Sequence, residues 1–296
     1  MPLSRRKPTV EWQVCGLCTY DCSYCIQGKS SRVGEPDAET ADRIVDFLAS
    51  LPGLWEVKMS GGEPFAAGLF TTRIVPGLAA RTRHAISVLT NLSAPLPEIE
   101  RFAAAARGRV GIVSASLHLE FAEPREFARR AVAFRSMLGG GTDFVVNSVL
   151  VPSRLPEVEE ARRIVESAGL RFFPQLLKDR STGKVHLYEG EELRLVEAIV
   201  GAGPVDPRRA NAAPSYRGRL CWAGVDYFAL TRSGDAWSCR SARRRGEGYL
   251  GNALDGSLRL HTEPSTCDYD ICPCTVPANR GMIEGVGRGA AEYEFA

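Results

Sequence analysis

Over roughly its first 180 residues the chain switches repeatedly between two spacings of apolar positions. Short apolar runs cover residues 9–14, 54–59, 84–90, 110–119, 144–151 and 170–177. Runs of this length, bounded by turn residues, predict strands. Between them, apolar residues recur at steps of three and four. The sets are Ala41, Ile44, Val45 and Leu48; Ile99, Phe102, Ala103 and Ala106; Phe127, Ala131, Phe134 and Leu138; and Val158, Ala161, Val165 and Ala168. Each set lies on one face of a helix. A further helix is predicted over residues 69–80. Asp37 suits the N-cap of the first helix. The glycines at 139–141 stop the third, and Gly169 closes the last as a C′ residue. Six strand–helix repeats at roughly 30-residue spacing predict parallel βα units. Right-handed crossovers curl such a sheet into a barrel or part of one, and six units fall short of the eight that close it. Periodicity alone leaves an open doubly wound sheet as the alternative.

After residue 178 the pattern changes. Residues 179–184 are polar and glycine-bearing, 191–200 read as a short helix, and 201–214 are rich in Gly, Ala and Pro, as a linker is. Residues 227–231 and 236–239, joined by Ser233-Gly234-Asp235, predict a β-hairpin with a glycine turn. The expected organisation is a core over 1–178, a linker with a short helix over 179–220, and a cysteine-rich unit over 221–296.

Composition adds little constraint. The apolar share is 44%, the charged share 24% and the net charge +2, so neither a nucleic-acid nor a membrane partner is expected. No apolar run approaches the roughly 20 residues that span a bilayer. The densest basic run, Arg243-Arg244-Arg245, reads as a solvated loop. Cysteine usage says more. There are nine, an odd number, in two clusters and without a signal peptide. This speaks against a disulfide scaffold and for thiolates kept for metal in a reducing cytoplasm.

The first cluster is Cys18-Thr19-Tyr20-Asp21-Cys22-Ser23-Tyr24-Cys25, directly after the first strand. Three thiolates this close can share one metal centre. A zinc site would recruit a fourth ligand. A cubane held by only three cysteines keeps one iron open to a small molecule. Gly61-Gly62-Glu63-Pro64 follows the second strand. This C-x3-C-x2-C spacing, with an aromatic residue before the last Cys and a later Gly-Gly-Glu-Pro, resembles the radical S-adenosylmethionine (radical SAM) superfamily. Cys15, just ahead of the motif, reads as a small buried residue.

The resemblance covers about residues 9–178. It implies an α/β fold, a partial (β/α)6 TIM-like barrel with its site at the C-terminal ends of the strands. It also implies a [4Fe–4S] cluster on Cys18, Cys22 and Cys25 with S-adenosylmethionine (SAM) on the open iron. Gly61, Gly62 and Glu63 would bind the methionine amino group, and Tyr24 would lie near the adenine. Thr90 and Asn91 would meet methionine or ribose, Ser114 and Ser116 the ribose, and Val149 and Leu150 the adenine. The later cysteines, Cys221 and Cys239 in C-x12-G-x4-C and then Cys267, Cys272 and Cys274, resemble the C-terminal extension called SPASM. The shorter twitch form, carrying one auxiliary [4Fe–4S] cluster, fits better, because the full C-x2-C-x5-C-x3-C segment is lacking. A zinc ribbon is the alternative. Cys221, Cys239, Cys272 and Cys274 are the expected auxiliary ligands. Cys272 and Cys274, two apart in extended chain, face the same way, which makes Cys267 the first choice for the spare thiol and leaves Cys272 or Cys274 as the alternative.

Substrate contacts are expected at the strand ends and in the hairpin: His118 and Glu120 on the fourth strand, Gln175 and Lys178 after the sixth, and Asp226 and Arg240 flanking the hairpin. For His118 a core histidine, and for Glu120 and Lys178 a surface pair, are the alternatives. The first strand begins near residue 9, with no peptide-recognition domain ahead of it, so a small polar substrate of sugar or aminoglycoside type is expected. The spare thiol favours epimerisation with Cys267 as hydrogen donor. Dehydrogenation of a secondary alcohol and peptide modification are the alternatives. A plain iron–sulfur electron carrier has no use for the Gly-Gly-Glu-Pro loop. An electron donor such as flavodoxin or ferredoxin would serve the enzyme.

Overall fold

The computed structural model describes residues 6–28, 32–182, 184–200, 216–269, 272 and 276–285. The six expected βα units are present in order. They are β1 (Thr9–Cys15), α1 (Ala38–Ser50), β2 (Glu56–Gly61), α2 (Val75–Arg81), β3 (Ala85–Thr90), α3 (Leu96–Ala105), β4 (Val110–Ser116), α4 (Pro124–Ser136), β5 (Asp143–Leu150), α5 (Leu155–Ser167) and β6 (Arg171–Leu176). Strands β1 to β6 pair in parallel in sequence order, the partial (β/α)6 barrel. Asp37 caps α1 by accepting from the Thr40 N–H at 2.7 Å, and Gly169 takes the left-handed conformation after α5.

Two boundaries differ from expectation. The helix read over 69–80 begins with a π-helical turn, Phe70–Ile74, in which the Leu69 carbonyl accepts from both Arg73 and Ile74. β4 ends at Ser116, so His118 and Glu120 stand in the loop after it rather than on the strand.

The chain continues through α6 (Gly190–Val200), β7 (Leu220–Cys221), β8 (Tyr227–Leu230), β9 (Asp235–Trp237), α7 (Arg240–Arg245), β10 (Tyr249–Asn252), β11 (Ser265–Thr266) and α8 (Val276–Asn279). The expected linker over 201–214 falls wholly outside the described residues. β8 and β9 form the expected hairpin, turning at Gly234 with φ of 84°. The hairpin joins the main sheet. β8 pairs in parallel with β1, Thr9 opposite Tyr227 and Trp12 opposite Leu230, and the order becomes β10-β9-β8-β1-β2-β3-β4-β5-β6. The run at 243–245 is the last turn of α7, closed by Gly246 at φ 73°, not a loop.

The main core lies between the sheet and its helices. Val10, Trp12, Val14, Val57, Met59, Ile86 and Val88 pack there against Ile44, Leu48, Ile74, Leu78 and Phe102. Their strand neighbours Glu11, Gln13, Lys58, Ser60, Ser87 and Ser114 point to the other, concave face. An ion pair sits at the start of β2, where Glu56, fully buried, takes Arg280 Nε and Nη2 at 2.6 and 3.0 Å and Lys7 Nζ at 3.3 Å. Among the described residues no helix is long and apolar enough to cross a membrane.

Candidate active site

The loop after β1 carries Cys18, Cys22 and Cys25 and lies against the Gly-Gly-Glu turn at the end of β2. The Gly62 N–H donates to Cys15 O at 3.1 Å and the Glu63 N–H to Leu17 O at 2.6 Å. The approach is close enough to require glycine. A Cβ on Gly61 would stand 2.4 Å from Cys15 O, and one on Gly62 1.9 Å from Leu17 O. Cys15, fully buried, donates its thiol to Glu63 O at 3.4 Å. Burial, then the Glu63 charge, pushes its pKa up to about 12. Gln27 Nε2 donates to Gly61 O at 2.7 Å, while Gln27 Oε1 is buried with no hydrogen bond among the described residues.

Glu63 is almost fully buried. Its carboxylate accepts from Thr90 Oγ1 at 2.7 Å, Asn91 N at 2.6 Å and Phe65 N at 3.2 Å. Thr90 and Asn91, expected to meet ligand directly, therefore hold Glu63. The Asn91 side chain also reaches the cysteine loop, at Thr19 Oγ1 (3.0 Å) and Cys18 Sγ (4.0 Å). Burial pushes the Glu63 carboxyl up to about 7, against the three donors, which favour its ionised form. Among the described residues no cation pairs with it.

His118 and Glu120 grip the cysteine loop. Tyr24 Oη and His118 Nδ1 share a hydrogen bond at 2.8 Å, and Glu120 accepts from Ser23 N (2.8 Å) and Ser23 Oγ. Tyr20 stacks on Phe121 with centroids 4.8 Å apart, and Arg180 donates to the Cys25 and Ser23 carbonyls. Burial holds the His118 pKa down to about 4, so the ring is neutral. Both residues hold the loop in place, where substrate contacts were expected.

The three thiols sense one another. Burial, then Cys25, Glu120 and Cys18, pushes Cys22 up to about 12, and burial, with smaller contributions from Glu63 and Cys25, raises Cys18. Among the described residues no three His, Cys, Asp or Glu side chains converge on a single-ion position. Three thiols on one short loop are the donor set that a larger, multi-iron centre takes.

The remaining expected residues scatter. Ser114 and Ser116 both bond Asn147. Val149 is half-buried on β5. Leu150 turns outward, packing with Leu155, Val158 and Tyr188 beneath the helices, so its side chain is not on the concave face. Gln175 lines a narrow hollow of about 20 Å3 on that face, with Lys58, Ile112, Ser114, Val145, Asn147 and Phe173. A larger hollow, about 460 Å3, opens between the β4–α4 loop and α5, lined by Glu120, Phe121, Glu157 and Glu160. Lys178 bridges to Val185 beyond β6. Asp226 pairs with Arg6 at 2.6 Å, and its carbonyl accepts from Thr9 N at the start of β1. That is the end of the strand opposite the cysteine loop, which removes Asp226 from the substrate contacts. Arg240 does face the site, reaching Glu11 Oε1 at 2.8 Å and Ser60 Oγ at 2.9 Å.

The C-terminal cysteines form a second group. Cys221 ends β7 opposite Ser265 of β11, Cys267 follows β11, and Cys239 caps α7 by accepting from Ala242 N. All three join one small cluster around Tyr227, Val276, Met282 and Ile283. Burial, then Cys267 and Cys239, pushes Cys221 up to about 11. Burial raises Cys239, and Cys267 adds to it. Cys267 thus lies beside Cys221 and Cys239, not apart from them. Cys272 is felt by Tyr216, and Cys274 lies outside the described residues.

Lys58 and Glu11 escaped sequence reading, although a signal was there. Buried parallel strands normally run apolar on both faces, whereas 9–14 and 56–61 alternate apolar with polar residues. The polar face is the one that no helix covers.

No protein-family model and no curated protein matches the sequence. Solved structures do match. SuiB of Streptococcus suis bound to precursor peptide SuiA is 15% identical with a TM-score of 0.61, over 86% of this chain and 64% of that one. SuiB bound to S-adenosylmethionine is 16% identical with a TM-score of 0.61, over 85% and 64%. Native anSMEcpe with bound AdoMet and Cp18Cys peptide is 13% identical with a TM-score of 0.58, over 84% and 79%. The chain therefore spans just under two-thirds of SuiB. The fold it shares with these proteins is the partial (β/α)6 TIM-like barrel.

Proposed function

We propose that this chain is a radical SAM enzyme that abstracts hydrogen from a substrate held on the concave face of the sheet. The observation that carries the reading is the coupled Cys18, Cys22 and Cys25 set, packed on a Gly-Gly-Glu turn at the C-terminal end of parallel strands. Two features beside it fit the cofactor. Among the described residues Glu63 is a buried carboxylate without a cation, an arrangement that costs several kcal/mol unless one is supplied, and the methionine ammonium of SAM is such a cation. Among the same residues Gln27 Oε1 is a buried acceptor without a donor.

When bound, a [4Fe–4S] cluster with SAM supplies a 5′-deoxyadenosyl radical, and an auxiliary cluster on the C-terminal thiols supplies an electron acceptor. The chain's own residues position and shield. Cys18, Cys22 and Cys25 ligate. Glu63, fixed by Thr90 and Asn91, orients the methionine end. Tyr24, His118, Glu120, Ser23 and Arg180 keep the loop from shifting.

For the auxiliary centre we assign Cys221, Cys239 and Cys267, with a fourth ligand from Cys272 or Cys274. This withdraws Cys267 as hydrogen donor and with it the main argument for epimerisation. Oxidation of the substrate has the better support, because Arg240, next in sequence to Cys239, contacts the concave face. Peptide modification is the second reading, favoured by the peptides bound in the SuiB and anSMEcpe structures.

Anaerobically reconstituted protein is expected to hold about eight irons, and Cys267→Ala about four. Full iron in the variant would return Cys267 to the role of spare thiol, and a wild-type count near four would remove the auxiliary cluster. Glu63→Ala is expected to weaken SAM binding by about tenfold, the loss of one charge-assisted contact, with iron content kept. Parallel loss of iron would show that Glu63 serves the cysteine loop and not the cofactor.

A further inference from the structure

The concave face of the sheet carries positive charge that its own acids do not neutralise. Two of its strand carboxylates are already satisfied. Glu56 is held by Arg280 and Lys7. Glu11 accepts from Arg240 at 2.8 Å and from Tyr227 Oη at 2.6 Å. Lys58 lies two residues beyond Glu56 and directly opposite Glu11 in register, on the same face as both. It pairs with neither, and among the described residues its ammonium makes no ion pair or hydrogen bond. Arg243 adds a second cation at the edge of this face, bonded to the neutral Gln13 at 2.9 Å.

Lys58 is half-buried in the narrow hollow, where the Gln175 side chain likewise makes no hydrogen bond among the described residues. Asn147 and Ser114 there are occupied with each other at 3.0 Å, and Ile112, Val145 and Phe173 supply apolar walls. A partly desolvated ammonium beside an unused amide, in a hollow of about 20 Å3, suits one small anionic group rather than a whole molecule. The position also has the right depth. Lys58 precedes Gly61 by three residues, so it sits about 10 Å below the Gly-Gly-Glu turn along the strand. A molecule anchored there extends toward the cysteine loop.

We propose that Lys58, with Gln175, forms an anion subsite that anchors the substrate by a carboxylate, the reacting carbon lying between this anchor and the cysteine loop. The assignment of the anchored molecule as substrate rests on the radical SAM reading. The subsite itself is measurable without SAM.

The test uses anaerobically reconstituted protein and ligand-observed NMR with three probes: succinate, its neutral diamide, and inorganic phosphate. Succinate is expected to bind and the diamide not to. Lys58→Gln is expected to weaken succinate by about tenfold, and Lys58→Arg to restore most of the affinity. Melting temperature and iron content of each variant check that the fold is kept. No succinate binding at high-millimolar concentration, equal binding of the diamide, or equal affinity in Lys58→Gln each overturns the subsite. Tighter binding of phosphate overturns the carboxylate assignment. Displacement of succinate by SAM alone gives the site to the cofactor and overturns the substrate role. Absence of 5′-deoxyadenosine formation by the wild type would sink the radical reading instead, leaving the succinate result to stand or fall alone.

Discussion

Protein carrying Cys18→Ala, Cys22→Ala and Cys25→Ala together is expected to form no 5′-deoxyadenosine from SAM while still holding about four irons after reconstitution. The reason is a separation visible in the fold. One thiol set lies on the loop after β1, and the other lies among β7, β11 and the start of α7, with a different group of neighbours. Loss of the first removes the open coordination position but leaves every ligand proposed for the second. The loop should keep its place, because its main anchors are backbone hydrogen bonds to the β2 turn, the Ser23–Glu120 and Tyr24–His118 hydrogen bonds and the Tyr20–Phe121 stack, which do not pass through the three sulfurs. Residual SAM cleavage would place the open iron elsewhere. Complete loss of iron would mean that the two sets are not independent.

Arg280→Met is expected to cost about 3–5 kcal/mol of stability, because it strips the buried Glu56 of its bidentate partner at the start of β2 and leaves it only the half-exposed Lys7. The pair is wholly buried and bidentate, so solvent does not screen it. Adding Glu56→Gln to that variant should recover much of the loss, since replacing both partners removes the stranded charge. Burial alone would raise the Glu56 carboxyl. The Arg280 charge and hydrogen bonds, with Lys7, overcome it and hold the group at about 2, below the ordinary 4.5. A depressed carboxyl contributes stability above its unfolded value and loses it as protons bind in the fold. Wild-type stability should therefore fall between pH 4.5 and pH 2, and the double variant should lose less over the same window. Urea unfolding across that range measures both. An Arg280→Met midpoint equal to wild type would show that the ion pair contributes nothing.

The parallel core was legible because each of its helices and strands carries its own period, and the cysteine loop because its residues are adjacent in sequence. What escaped depends on residues far apart in the chain. The hairpin around Gly234 was visible as a local turn, but its parallel pairing with β1 has no local signature. His118 and Glu120 looked like strand residues because the apolar run continues to Leu119. The strand ends at Ser116 because His118 and Glu120 are engaged with Tyr24 and Ser23 nearly 100 positions earlier. Cys267 looked spare because Cys272 and Cys274 share a local spacing. The fold favours a different grouping, since pairing of β11 with β7 brings Cys267 beside Cys221. Lys58 was passed over although the alternation on β2 marks it, because an isolated lysine carries no motif.

The β8–β1 pairing also sets an order of events as the protein is made. Tyr227 bonds Glu11 across 216 positions of sequence. At ribosomal rates of roughly 5–20 residues per second, β1 waits on the order of 10–40 s for its second neighbour to emerge. Through that interval the nascent chain can assemble β1 to β6, but the outer edge of β1 presents unpaired N–H and C=O groups to any passing strand. A chain released before residue 227 keeps that open edge permanently. Quality-control machinery then meets it as a template for aggregation, although every residue of the cysteine loop is already in place.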